Sequence, residues 1–481
     1  MHVSTAPDSA RELLAHLHRA GVAAAHGKRV LVANSRVLGN LWQYEGGYRG
    51  EAPLRVPLPA PAEGRVLVVG AGKAAGALAQ GLEAVLGDRI HAGAIVVKYG
   101  HAVPLRRIRC FEAAHPVPDQ AGVAATRELL RILDQATARD TVFCLLTGGA
   151  SALLVEPAEG LSLEEKATAG GLLVNSGASI HEVNLVRKHL SAVKGGRLRL
   201  RTRCRAFCTL AISDVPGDDP ASIGSGPTVR DDSSCEDALA VIDRYGLRAR
   251  LPAAVLNRLL CGASGEPLLA GRVVARPHAE PPSPKDAQAH PPHLDFDAAV
   301  SRTTSYRIVA GLQTALDACA SEATRLGLSV SIFDERMTGC TADAARGFAG
   351  ALREVARGIR EGGPARVLLA GGETTLEVRG AGRGGRNQQF ALIAARTLQD
   401  VPGAVLLAAG TDGTDGPTDA AGAFADASSW PRARALGLDP EDHLRRNDVY
   451  PLFEALHDLY RSGPTGTNVM DLVIGVAGVA R

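Results

Sequence analysis

Six short apolar runs constrain this chain more than any other feature: RVLVVG at 65–70, AGAIVVK at 92–98, TVFCLLT at 141–147, AFCTLAISD at 206–214, RVLLAGG at 366–372 and AVLLAAG at 404–410. Their length, their Val and Leu content and the glycines that bound them describe strands buried on both faces. Helical stretches alternate with them, which is the pattern of an α/β protein with a mostly parallel sheet. Open sheets of this kind bind ligands beyond the carboxyl ends of their strands, so the turns that follow these runs are where chemistry is expected. A chain of 481 residues, 46% of them hydrophobic, is long enough for two such units. Residues 275–297 carry six prolines and no usable periodicity, so the seam is expected there. His278, His290 and His293 in that stretch read as linker residues, not as metal ligands.

Charge and cysteine usage exclude several classes. A formal net charge of +2 gives no global attraction for nucleic acid or an anionic membrane, so any anion site is local. No window approaches the roughly 18 consecutive apolar residues a membrane span needs. The opening MHVSTAPDSARELL reads as a helix begun by a Ser9 to Glu12 capping box, without a signal peptide. Eight cysteines show neither paired CxxC spacing nor disulfide-framework density. The expectation is a soluble cytoplasmic protein with reduced thiols, a monomer or homodimer, with neither nucleic acid nor membrane as partner.

After the first run, the turn holds Gly70, Gly72, Lys73 and Gly76 and feeds a helix of alanines and leucines. A glycine turn of this kind exposes backbone N–H groups and the positive end of a helix dipole, which suits phosphate. Close packing of helix on strand is the bland alternative, and Lys73 favours the anion. A dinucleotide fold would need an acid at the end of the next strand to hold the ribose, and Lys98 stands there instead, which only a phosphorylated dinucleotide would tolerate. The third run ends in Thr147, Gly148, Gly149 and Ser151, small residues that let an anion reach the backbone or merely make a tight turn. The fourth ends in Ser213 and Asp214, with Asp214 a candidate proton acceptor or magnesium ligand and Asp219 a candidate cap. Between these loops Asn184, Arg187, Lys188 and Lys194 fall at roughly helical spacing and can turn cations toward a cleft. The run Arg197, Arg199, Arg201, Arg203 and Arg205 has no interleaved aromatics and reads as a solvated basic edge, with Cys204 and Cys208 as half-buried packing residues.

The second half repeats the theme with other residues. The fifth run leads through a turn at Gly371–Glu373 and a second short strand into GAGRGGRNQQF, which places Gly384 and Gly385 before Arg386 and Asn387 at a helix start. The sixth delivers a loop bearing Asp412, Asp415 and Asp419. Acidic loops close to cationic ones suit a nucleotide with its magnesium, because that ion takes oxygen ligands and keeps several waters.

Ten stretches together resemble one family, the class II glycerate kinases, or glycerate 2-kinases, with a C-terminal MOFRL domain. They are GAGKAAGALA, IVVKYGHA, HPVPDQAG, TGGASALL, NLVRKHLSAVKGGRL, SDVPGDDPASIGSGPTV, GGETTLEV, GRGGRNQQFAL, GTDGTDGPTDAAGA and GPTGTNVMD. The resemblance implies a Rossmann-like kinase domain over 1–270, a linker or insertion at 271–302 and a MOFRL-type α/β domain over 303–481, with the active site in the cleft between them. It implies ATP-dependent phosphorylation of D-glycerate at the 2-hydroxyl, with Mg2+. The family's functional lysine falls on Lys73 and its functional arginine on Arg386. Phosphate is assigned to Lys73 and the Gly70–Gly76 amides, the transferring group or acceptor carboxylate to Arg386, and acceptor orientation to Gly148, Gly149 and Ser151. Asp214 is the candidate base or metal ligand, with Asp412 and Asp415 next, and Gly384, Gly385 and Asn387 flank the nucleotide. TGGAS, Met470 and Leu312 depart from the family pattern. The competing readings are an NAD(P)H-dependent hydroxypyruvate or tartronate reductase, a kinase for a related hydroxy acid, and a non-catalytic sensor.

Overall fold

A computed structural model describes residues 9–46, 48–264, 300, 304–359 and 363–478. Six strands form a wholly parallel sheet: β4 (Val66–Ala71), β5 (Ile90–Lys98), β6 (Ile108–Ala113), β7 (Thr141–Leu146), β8 (Ala206–Ile212) and β9 (Thr304–Ala310). Every residue of β4, β7 and β8 is buried, as expected of strands covered on both faces. The lateral order is β6-β5-β4-β7-β8-β9. This is the doubly wound dinucleotide-fold order, whose direction reverses between the first and fourth strands. That switch point lies between β4 and β7, so the Lys73 turn and the Gly148 turn emerge side by side.

The second sheet is mixed. It comprises β10 (Ser329–Met337), β11 (Arg366–Gly372), β12 (Ala404–Gly410), β13 (Gly422–Asp426), β14 (Leu459–Tyr460) and β15 (Asp471–Ala477), in the order β10-β11-β15-β12-β13-β14. β10 and β11 are parallel, and the remaining pairs are antiparallel. The last strand therefore inserts head-down between β11 and β12, and Asp471, its first residue, pairs with Gly372 and Gly410 at their carboxyl ends. The short strand expected after Glu373 is absent. Thr375 makes only an isolated bridge to Cys340, and the chain runs extended toward Gly380.

Two segments cross the expected boundaries. The helix Ala10–Ala24, opened by Ser9 accepting from the Glu12 amide, lies on the C-terminal part, where Arg11 pairs with Asp458 at 2.6 Å and Asp426 at 3.1 Å. Its Gly21 leaves room for Cys319 and the Ala315 carbonyl. In the other direction, residues 304–310, expected to open the C-terminal domain, form β9 and pair with β8 in register with Phe207–Ile212, with the apolar Ile308–Ala310 end buried. The linker expected at 271–302 falls outside the described residues apart from Val300, as do His278, His290 and His293. One cluster of buried side chains runs without a break from Val66 and Phe143 to Leu472 and Ile474, so the two sheets share a core.

A small antiparallel sheet, β1 (Ser35–Leu38), β2 (Leu41–Tyr44) and β3 (Leu54–Pro57), accounts for the stretch before the first long strand. Trp42 packs edge-on against Phe143 at 5.3 Å and Tyr44 donates to the Val309 carbonyl. The basic run at 197–205 is not uniformly solvated. Arg199 is buried, donates to Thr304 Oγ1 and the Thr202 carbonyl, and stacks over Phe207 at 5.0 Å, because a short helix at Arg197–Leu200 turns it inward. Cys204 and Cys208 are fully buried, and all eight cysteines are free thiols. No helix among the described residues is long and apolar enough to cross a membrane.

Candidate active site

The β4 and β7 turns are locked together. The Lys73 amide donates to the Gly148 carbonyl at 2.8 Å, and the Ala74 amide donates to Thr147 Oγ1 at 3.0 Å. A Cβ on Gly72, held at φ +133°, would stand 2.1 Å from Thr147 Oγ1, so only glycine allows this approach. Gly70 and Gly76 serve packing: Cβ atoms there would strike the Leu145 carbonyl at 2.5 Å and Val103 at 2.8 Å. Gly148 and Gly149 face chemistry. A Cβ on the first would lie 2.1 Å from Asp214 Oδ2, and one on the second 3.1 Å from His115 and 3.2 Å from Lys73 Cγ.

Lys73 crosses to the other domain. Its Nζ pairs with Asp412 Oδ2 at 2.9 Å, with the side chains only 17% and 13% exposed, so solvent screens the pair weakly. Asp412 Oδ1 also accepts from the Thr414 amide and hydroxyl, each at 3.0 Å. Burial works to raise its pKa, but Lys73 and Thr414 outweigh it and hold Asp412 below the usual carboxylate range.

Arg386 starts the helix Arg386–Thr397 and turns back to the carboxyl ends of β11 and β12. It grips Asp471 through two nitrogens, at 2.5 and 3.1 Å, and Glu373 at 2.5 Å. Burial raises the pKa of Glu373 against the pull of Arg386 and, more weakly, of Lys73, so one carboxyl feels both cations. Asp214 completes the group. Half-buried, it accepts from Asn468 Nδ2 at 3.1 Å, and burial followed by the charge of Glu373 pushes its pKa up to about 6 while Lys73 pulls it down.

Asp415 lies next to this group, within the field of Arg386 and Asp471, but its carboxylate oxygens are taken by the backbone. Its carboxylate accepts from the Asn387 and Gln388 amides at 3.0 and 2.9 Å and caps the helix. Burial pushes its pKa up to about 6 against those donors. The glycines ahead of Arg386 make room for protein: Cβ atoms on Gly380 and Gly382 would meet the Arg446 carbonyl at 2.4 and 2.5 Å, on Gly384 Val449 at 2.7 Å, and on Gly385 Asp415 at 2.3 Å. Asn387 is buried against Asp415. Asp219 caps a turn through the Ala221 amide and Ser222 hydroxyl. Ser151 hydrogen-bonds Ser225 at 2.9 Å and Lys194 at 3.2 Å, behind the β7 turn.

Several residues at this site escape a reading of the sequence. Glu373 follows β11 as Asp214 follows β8, and the same rule about strand ends could have found it. His115 lies against Gly149, and burial with Lys73 and Lys98 pushes its pKa down to about 4, leaving a neutral imidazole at pH 7. Asp471 and Asn468 precede or open an antiparallel strand, where no strand-end rule applies. Met470 and Leu312 line one cavity of about 360 Å3 with Gly372 and Asp218.

Comparison with known proteins decides the family. A family model described as a domain of unknown function matches residues 13–260, and the MOFRL family model matches 366–471. A D-glycerate 2-kinase of Thermotoga maritima is 39% identical over 413 residues, covering 86% of this chain and 90% of the relative. The chain belongs to the glycerate 2-kinase family, with a C-terminal MOFRL domain. Another member of similar extent, from Agrobacterium vitis, is 40% identical over 412 residues, 85% of this chain and 98% of its own, and carries hydroxypyruvate reductase as a provisional name. The crystal structure of a glycerate kinase from Thermotoga maritima superposes with a TM-score of 0.76 at 34% identity, over 98% of this chain and all of that one. The fold is thus that of a glycerate kinase, and the family assignment favours the kinase over the reductase. Lys98 at the end of β5, where a site for the unphosphorylated dinucleotide would need an acid for the ribose, disfavours that cofactor alone.

Proposed function

We propose that the enzyme transfers the γ-phosphoryl group of ATP to the 2-hydroxyl of D-glycerate, giving 2-phosphoglycerate and ADP, in the cleft between the two sheets. The observation that carries this reading is that Lys73 and Arg386, one cation from each domain, both act on the carboxyl of Glu373. Phosphoryl transfer asks little covalent chemistry of a protein beyond alignment and neutralisation of charge on the phosphate oxygens. Lys73 and Arg386 supply that charge. Gly148 and Gly149 keep the approach to Asp214 and Lys73 clear of side chains. Asp214, poised near neutrality, takes the hydroxyl proton as the alkoxide oxygen bonds to the γ-phosphorus and the bond to the β,γ-bridging oxygen breaks, with ADP leaving.

Among the described residues no three metal-ligating side chains converge. Asp412 and, in place of its role as base, Asp214 nevertheless fit a hard cation as oxygen donors, since Asp214 feels the charges of both Asp412 and Glu373 across the cleft. Mg2+ held by them together with the triphosphate would neutralise charge on the phosphate oxygens.

Phosphorus NMR of the purified protein with ATP, magnesium and D-glycerate tests the proposal, with phosphate expected on carbon 2. Lys73→Ala is expected to lower turnover on the order of a hundredfold or more. Phosphate on carbon 3, or no phosphorylation but oxidation of NAD(P)H with hydroxypyruvate, would overturn it.

A further inference from the structure

Among the described residues, three cations of the N-terminal domain stand together without an acid. Lys166, on the helix Leu163–Asn175, is only 8% exposed, and its Nζ has no hydrogen-bond partner. Arg187, on the helix Ile180–His189, is half-buried; its Nε comes 3.8 Å from where a Cβ on Gly170 would lie, and no carboxylate of the described residues pairs with it. Lys194, 1% exposed, donates to the Ser151 carbonyl at 2.8 Å, to the Ser151 hydroxyl at 3.2 Å and to the Gly224 carbonyl at 3.3 Å, all neutral acceptors. Nearby basic residues are served differently: Lys188 pairs with Asp231 at 3.2 Å, and Arg197 donates to the Lys188 and Lys194 carbonyls with Asp231 close by.

Among the described residues, the charges felt by the two lysines of the cluster are positive only. Lys166 senses Arg187 and Arg197, and Lys194 senses Lys166 and Arg187. Burial and then this repulsion push Lys166 down to about 7 and Lys194 well below the usual lysine range. A buried ammonium without a counter-charge opposes folding, and a methionine would fill the same space without that cost. Groups that oppose folding in this way concentrate where their charge is used. The cluster also adjoins the cleft: the Ser151 that Lys194 grips is two residues beyond Gly149, which faces Lys73, and its hydroxyl continues through Ser225 to Asn184.

We propose that Lys166, Arg187 and Lys194, with the Ser151 hydroxyl, form an oxyanion subsite on the N-terminal wall of the cleft, taking either the carboxylate of the hydroxy-acid substrate or a phosphate group of the nucleotide. The identity of the guest rests on the kinase reading above; its charge rests on the cluster alone. Lys166 and the Arg187 fork offer donors to the paired oxygens of either group, while Lys194, whose N–H groups are taken by Ser151 and Gly224, holds the Ser151 hydroxyl and adds positive charge.

Thermal unfolding of the full-length protein tests this with inorganic phosphate, D-glycerate and ATP added separately, against chloride at matched ionic strength. At least one of the three is expected to raise the melting temperature of the wild type. Lys166→Met is expected to melt at or above the wild type without ligand, because an unpaired buried charge is gone. Lys166→Met and Arg187→Met are both expected to lose the ligand-induced rise and to raise KM for the same ligand on the order of ten- to a hundredfold, with a smaller change in kcat. Loss confined to D-glycerate assigns the carboxylate, and loss confined to ATP and inorganic phosphate assigns a phosphate group. Variants that melt lower yet keep every wild-type ligand shift would make the cluster structural and overturn the proposal, as would a wild type that responds to none of the three. A wild type that responds to phosphate but does not turn over ATP and D-glycerate would sink the kinase reading and leave the subsite standing.

Discussion

Asp214 offers the sharpest test, because its two effects run in opposite directions. Its pKa rises from 3.8 to about 6 in the folded protein, through burial and the facing charge of Glu373. The folded state therefore holds the proton more tightly than the unfolded chain, and stability is lost as pH rises through the interval between the two values. With each pKa unit worth about 1.4 kcal/mol, the ionised carboxylate costs the fold about 3 kcal/mol at pH 8 and a fraction of that near pH 4. Asp214→Asn keeps the shape and an oxygen to accept from Asn468 while removing the charge. Its chemical-denaturation midpoint is expected to exceed the wild type at pH 8, with the gain shrinking toward pH 4. Turnover is expected to fall on the order of a hundredfold or more, since the proton acceptor is gone. In the wild type, kcat/KM should climb as pH rises through about 6, because Asp214 accepts a proton only when ionised. A variant with wild-type turnover, or one less stable at pH 8 than at pH 4 relative to the wild type, would refute the argument.

Two further substitutions probe the geometry. Gly148→Ala would set a methyl 2.1 Å from Asp214 Oδ2 and 2.5 Å from Asn468 Nδ2, so steady-state kinetics should show kcat reduced on the order of tenfold or more with stability down by about 1–3 kcal/mol; unchanged kcat would mean the turn yields without moving Asp214. His457, exposed and held at φ +56° where the helix Val449–Leu456 ends, should gain about 1 kcal/mol in urea titrations on conversion to glycine, and a loss of stability would contradict the strain argument.

Legibility in the sequence followed the range of the information. The six apolar runs became β4, β5, β7, β8, β11 and β12 within a few residues, since burial on both faces imprints a local pattern. β6 escaped because its Arg109, Cys110 and Glu112 break the apolar run, and β15 because Gly475 and the preceding Thr-Gly stretch read as loop. Lys73 and Asp214 could be read as strand-end residues of one sheet. Nothing in GAGRGGRNQQF tells a glycine that admits a ligand from one that admits Arg446 or Val449, because the distinction belongs to a neighbour more than 60 residues away. For the same reason Asp415 resembled a cleft carboxylate and stands instead as the cap of the Arg386 helix.

What the sequence by itself determined is the six strands buried on both faces, the cation after β4 and the acid after β8, because these follow from short-range periodicity and from turns a few residues long. Tertiary structure alone decided that Lys73 would meet Asp412, that Arg386 would be held by Asp471 and Glu373, and that the buried Lys166 and Lys194 and the half-buried Arg187 would share one place with no acid among the described residues. Each of those outcomes depends on a crossing: the final strand inserting between β11 and β12, the first helix lying on the far domain, and one core joining both sheets. Contacts of that kind are fixed by how layers pack, which no window of neighbouring residues encodes.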